Sequence, residues 1–102
     1  MHVKSLSDDT FKDELENSEL CLVDVYADWC GPCKQFAKIF EQEAEVNGGL
    51  TFFRINADEN PKFREEIKIP ALPFVVAFRN GQPIKEDSMT TQSALREFIQ
   101  SL

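Results

Sequence analysis

The sequence predicts an α/β domain, a central mixed β-sheet with helices on both faces. Three observations carry that prediction. The run LCLVDVYA, Leu20 to Ala27, is nearly continuously apolar and of strand length, the pattern of a strand buried on both faces as in a parallel sheet. Segments with helical spacing alternate with such runs, which implies parallel crossovers. Asn80-Gly81 is a strong hairpin turn and adds one antiparallel pair.

The elements follow in chain order. Met1 to Leu6 reads as a short first strand. Ser7 reads as an N-cap, with Asp8 and Asp9 in the first turn where the helix dipole favours anions. Leu6 and Phe11 then fit a hydrophobic staple, and the helix should run to about Asn17. After the strand at Leu20 to Ala27, residues Cys33, Phe36, Ala37, Phe40 and Ala44 recur at helical spacing, and Pro32 suits a first helical turn. Asn47-Gly48-Gly49 stops that helix. LTFFRINA, Leu50 to Ala57, is another strand, and Asn60-Pro61 opens a short helix carrying Phe63 and Ile67. Phe74 to Arg79 is a strand, with Gln82 to Glu86 as its return across the hairpin. A last helix starts near Thr90 or Thr91 and places Leu95, Phe98, Ile99 and Leu102 on one stripe. The predicted order is β-α-β-α-β-α-β-β-α.

A chain of 102 residues is expected to be one domain spanning 1–102. Apolar residues make up 42%, including 9 Phe, which is ample core material and argues against disorder. The formal charge of −7 argues against a nucleic-acid partner, which would need a basic surface, and suits a monomer kept soluble by self-repulsion. No run approaches the roughly 18 apolar residues of a membrane span. The start, His2-Val3-Lys4 followed by polar and acidic residues, lacks the apolar core of a signal peptide. A cytoplasmic protein is therefore expected.

Cys30 and Cys33 in YADWCGPCKQF carry the chemistry. A metal site would need about four ligands, and only Cys21 and His2 remain as soft candidates, one inside an apolar strand and one at the terminus. A structural staple gains little: so short a loop is worth roughly 2 kcal/mol, against roughly 3 for fifteen residues. A redox couple has positive support. Cys30 falls just before the predicted helix, where unpaired N–H groups and the dipole favour thiolate at its exposed start. Cys33 lies one turn inside, placed to resolve a mixed disulfide on Cys30. Gly31 and Pro32 shape the turn. Other residues stay open on the sequence alone. Asp24 is either a solvent-facing carboxylate or a buried acid/base with a raised pKa. Trp29 is either packing or an exposed docking surface. Lys34 is either a solvated helix residue or a cation favouring the thiolate. Cys21 reads as a small buried hydrophobe.

WCGPCK, preceded by LVDVYAD and followed by LPFVVAFRNG, closely resembles the thioredoxins over essentially the whole chain. The resemblance implies the thioredoxin fold and a thiol-disulfide oxidoreductase that reduces protein disulfides; the lowered thiol pKa of such pairs is itself a property of that family. It implies Cys30 as nucleophile, Cys33 as resolving thiol and Asp24 as general acid/base. Trp29, Gly31, Pro32 and Lys34 then form the active-site turn. It also implies a cis-proline before the strand that ends at Asn80-Gly81, which selects Pro73 over Pro70 and makes Ala71, Leu72 and Pro73 the groove that pairs with a target chain. No bound cofactor is implied beyond the redox disulfide. Electrons would come from a thioredoxin reductase using FAD and NADPH, and the partners would be that reductase and disulfide-containing proteins.

The chain departs from the family pattern at three places. Lys38 stands where a helix proline is usual, so a straighter helix is expected. Phe74 follows Pro73 where Thr is usual. Asp87-Ser88 stands where an apolar residue and Gly form the rim, which bears on partner choice. Three further readings remain beside the main one: a dedicated electron carrier for one partner system, a non-catalytic binding subunit on the same fold, and an oxidising, disulfide-inserting protein. The intact pair argues against the second, since binding needs no thiols.

Overall fold

The computed structural model describes residues 2–102. Among these the chain runs β1 (Val3–Ser5), α1 (Phe11–Glu16), β2 (Leu20–Tyr26), α2 (Gly31–Val46), β3 (Thr51–Asn56), α3 (Pro61–Glu66), β4 (Phe74–Arg79), β5 (Gln82–Ser88) and α4 (Gln92–Gln100). The predicted order of elements holds throughout. The sheet order is β1-β3-β2-β4-β5. β3 pairs in parallel with β1 and β2, while β4 runs antiparallel to both β2 and β5.

Central placement explains the apolar run of β2. Its side chains alternate between two cores, one on each face of the sheet. Val23 and Val25 join Phe11, Leu15, Phe63 and Ile67 beneath α1 and α3. Leu22 joins Phe36, Phe40, Leu95 and Phe98 beneath α2 and α4. A polar clasp holds α4 to α2: the buried Glu43 carboxylate accepts from Arg96 Nε and Gln92 Nε2, each at 3.1 Å.

The start of the chain differs from the sequence expectation. The strand is shorter than Met1 to Leu6, and Met1 lies outside the described residues. Ser7 opens a turn and does not cap α1: its carbonyl accepts from Thr10 N–H and Phe11 N–H, and α1 begins only at Phe11. Asp8 does serve a helix N-terminus, but that of α3. Its carboxylate accepts from Lys62 N–H at 3.1 Å and Phe63 N–H at 3.0 Å, satisfying donors of a first helical turn. Leu6 and Phe11 are both buried in one core, as a staple requires. His2 docks β1 on α2, its backbone N–H donating to Glu41 at 2.9 Å.

The other boundaries follow their local signals. Thr91 caps α4, its hydroxyl accepting from Ala94 N–H at 3.1 Å. Asn80 and Gly81 take φ of 50° and 86°, the left-handed pair that a two-residue hairpin demands. Gly81 is also held by space, since a Cβ there would come within 2.9 Å of Glu16 Cγ. β5 extends to Ser88, two residues past the expected Glu86, and so carries Asp87 and Ser88 beside Val75 and Phe74.

Candidate functional site

α2 begins where β2 leaves the sheet, and Cys30 is its N-cap. Pro32 occupies the first turn, where its absent N–H costs nothing. Cys30 has extended backbone angles, φ −85° and ψ 103°, that turn its sulfur toward the helix start. Cys33 N–H donates to Cys30 Sγ at 3.3 Å. The two sulfurs are joined in a disulfide, with Cα atoms 5.3 Å apart. This is the oxidised form of a dithiol pair. Reduction would leave Cys30 Sγ facing that N–H and the positive end of a long helix, both of which favour thiolate.

The expected difference in exposure between the cysteines is not seen: Cys30 is 4% exposed and Cys33 3%. Their difference is positional. Cys30 receives the helix N–H, whereas Cys33 borders a cleft of about 350 Å³ formed with Ala37, Lys38 and Arg54.

Asp24 is 1% exposed, so it is not the solvent-facing carboxylate that the sequence left open. Its Oδ1 is buried without a hydrogen-bond partner among the described residues. Burial pushes its carboxyl up to about 7, while the Arg54 guanidinium opposes the rise. Arg54 is its neighbour in register on β3 and is likewise buried at an unpartnered Nε. The guanidinium also stacks on Tyr26, 4.1 Å from the ring centre. A second small cavity, about 150 Å³, holds Asp24, Ala37 and Arg54. Ala37 and Arg54 thus line both spaces, and they link the buried carboxylate to the surroundings of Cys33.

Trp29 stands beside Cys30 with 73% of its surface exposed. Its indole N–H donates to Asp58 at 2.7 Å, which holds a large apolar face open to solvent. Gly31, Pro32 and Lys34 are all exposed around the turn. Across from it, Leu72 packs on the cluster of Ala27, Cys30 and Cys33. The Leu72–Pro73 peptide is cis. Pro73 is buried, Ala71 and Pro70 are exposed, and Pro73 carbonyl accepts from Met89 N–H at 3.4 Å. Cys21 is fully buried, and burial pushes its thiol up to about 11, which keeps it protonated and inert.

Sequence reasoning missed Arg54 and Asp58. A signal for the first was present: Arg54 is the lone charge in LTFFRINA, as Asp24 is in LCLVDVYA. Two isolated opposite charges in neighbouring buried strands invite pairing.

Comparison with known proteins agrees with this geometry. The family model described as Thioredoxin matches residues 2–101. A thioredoxin of Alicyclobacillus acidocaldarius is 34% identical over 83 residues, covering 80% of this chain and 79% of that protein. A bifunctional thioredoxin reductase/thioredoxin of Mycobacterium leprae is 38% identical over 76 residues, 74% of this chain and 17% of that longer protein. The structure of Plasmodium falciparum thioredoxin superposes with a TM-score of 0.91 at 28% identity, covering 96% of this chain and 97% of that one. Fold, redox pair and sequence agree: the chain belongs to the thioredoxin family, whose members are thiol-disulfide oxidoreductases.

Proposed function

We propose that this oxidoreductase reduces protein disulfides in two exchanges, with Cys30 attacking first. Cys30 thiolate attacks one sulfur of the target disulfide. A mixed disulfide forms on Cys30 and the other target sulfur leaves as thiolate. Asp24 accepts the Cys33 proton, and Cys33 thiolate attacks Cys30 Sγ. The second target sulfur leaves and takes the proton held by Asp24, the first takes one from solvent, so the target gains two electrons and two protons and the chain is left with the Cys30–Cys33 disulfide. The observation that carries this order is the Cys33 N–H on Cys30 Sγ at the start of α2. A carboxyl near 7 suits proton transfer at neutral pH.

The other roles follow from placement. Trp29 offers the apolar face on which a target rests. Ala71, Leu72 and Pro73 line the groove for its chain, and Lys34 adds a cation by the turn. Gly31 and Pro32 set the turn that holds the sulfurs. The chain acts as a single domain and binds no cofactor of its own. A thioredoxin reductase with FAD, drawing on NADPH, would return it to the dithiol; the relative that joins a reductase and a thioredoxin in one protein supports such a partner. A monomer in the cytoplasm fits a carrier that shuttles between a reductase and many targets, and the charge of −7 supports the monomer.

The direct test is reduction of insulin disulfides, first with dithiothreitol and then with NADPH and a thioredoxin reductase. Cys33→Ser should accumulate a stable mixed disulfide with targets, and Cys30→Ser should capture almost none. Equal trapping by both variants would reverse or abolish the assigned order.

A further inference from the structure

We propose that His2, Glu41 and Glu45 form a surface site for a divalent transition-metal ion of the zinc type, which clamps the start of β1 to α2. Glu41 and Glu45 stand about one turn apart on α2 and so share a helix face. His2, just before β1, lies against that face. Its Nδ1 is 3.6 Å from Glu41 Oε1 and 4.0 Å from Glu45 Oε1, and the three donor atoms all lie within 4.8 Å of one another. Around a zinc ion bound to nitrogen and oxygen at about 2.0–2.2 Å, tetrahedral ligand atoms are about 3.3–3.6 Å apart. The pairs that include His2 are near that spacing, and the three side chains, all at least partly exposed, are free to close the remainder. Glu41 Oε1 also accepts from the His2 backbone N–H at 2.9 Å. Such a supporting bond orients a metal-binding carboxylate and leaves it lone pairs for a cation.

Charge and donor type choose the occupant. Like charges one helical turn apart repel, and among the described residues no Lys or Arg lies within 4.0 Å of either carboxylate. Glu41 and Val3, the neighbour of His2, also wall the cavity of about 150 Å³ that Asp24 lines. Asp24 is buried and its Oδ1 has no hydrogen-bond partner among the described residues. The cluster therefore stands at the outer end of a pocket whose inner end is an unpartnered carboxylate. One imidazole nitrogen with two carboxylates suits zinc and its transition-row neighbours, whereas Mg²⁺ and Ca²⁺ prefer oxygen alone. Three protein ligands leave a position for water. Glu41 lies about three helical turns beyond Cys30, roughly 16 Å along the axis of α2, so this ion is separate from the redox sulfurs.

The test titrates Zn²⁺ into the oxidised chain in a buffer free of thiols and chelators, where Cys30 and Cys33 are held in their disulfide and are not thiolate ligands. Calorimetry measures the affinity. NMR signals of the His2 imidazole report on that side chain alone, since the chain has 1 His. One equivalent of Zn²⁺ should bind and shift the His2 signals, while the same concentration of Mg²⁺ should leave them unmoved. His2→Ala and Glu41→Gln/Glu45→Gln should each weaken binding at least tenfold, since losing even a group that supports a ligand costs about 10–100-fold. Glu65→Gln/Glu97→Gln removes equal charge from α3 and α4 and should keep the parent affinity. The proposal is overturned if the parent chain binds no Zn²⁺, or binds it without moving the His2 signals. It is equally overturned if Mg²⁺ moves them as far, if either cluster variant keeps the parent affinity, or if the distant variant loses as much.

Discussion

Replacing Asp24 by Asn should stabilise the protein in a pH-dependent way while slowing disulfide exchange. Burial raises the carboxyl from 3.8 to about 7, with Arg54 opposing. At about 1.4 kcal/mol per pH unit, that rise disfavours the ionised form in the fold by about 4 kcal/mol. The sign follows from the folded pKa lying above the unfolded one. As pH rises through 3.8 the unfolded state loses its proton first, so the penalty grows, and it levels off above about 7. Below 3.8 both states hold the proton and the penalty vanishes. Asn carries no such charge. Part of the gain is lost, because the buried Nε of Arg54 then faces no carboxylate. The net gain at pH 8 should be about 1–3 kcal/mol, a rise in Tm on the order of 5–20 °C for a domain of this size. At pH 4 it should nearly disappear. Urea and thermal unfolding of the oxidised parent and variant from pH 4 to 9 measure this directly, and reduction rates on the same samples measure the functional cost. A variant that melts below the parent at pH 8, gains by a pH-independent amount, or reduces targets at full rate would refute the assignment of Asp24 as a desolvated acid/base.

Arg54→Met should raise the Asp24 carboxyl further, since it removes the charge that opposes burial. The pH dependence of disulfide reduction should then move to higher pH, with Arg54→Lys restoring most of it; an unmoved profile would mean that Arg54 acts only by stacking on Tyr26. Asp8→Ala should cost about 1 kcal/mol in urea unfolding, because it strips the acceptor from two N–H groups at the start of α3; an unchanged midpoint would show that those groups are satisfied by solvent.

Elements with a strong local signal were legible from the residues. β4 lies at Phe74–Arg79 as its apolar run predicts, and the hairpin at Asn80-Gly81 needs a conformation that those two residues favour. The long helix α2 announces itself through the spacing of Cys33, Phe36, Phe40 and Ala44 and ends at Asn47 as expected. The redox pair was legible because a cysteine that caps a helix and one inside its first turn differ in their access to its N–H groups whatever the surrounding fold. Asp8 was misread for the opposite reason. Its acid stands before α1 in sequence, but β1 and β3 are neighbours in the sheet, and the turn after β1 therefore meets the turn after β3. An N-terminal acid can serve any helix whose start it reaches, and sequence spacing sees only the nearest.

The same limit governs the site. Asp24 is conspicuous alone, yet its pKa depends on Arg54, thirty positions away and aligned with it only by the parallel register of β2 and β3. A shift of that register by one residue would turn Arg54 to the other face of the sheet, toward Phe63 and Ile67, and leave Asp24 without its opposing charge. The register is held by what lies on either side of Arg54: Phe53 and Ile55 fill the core beneath α1 and α3, while Phe52 fills the core beneath α2. Packing of uncharged side chains therefore fixes where the charge sits. The charge tempers the cost of burying Asp24, and the remaining cost holds a carboxyl near neutrality beneath the disulfide-bearing helix. The acid/base property belongs to the pair of strands, which is why neither LCLVDVYA nor LTFFRINA discloses it alone.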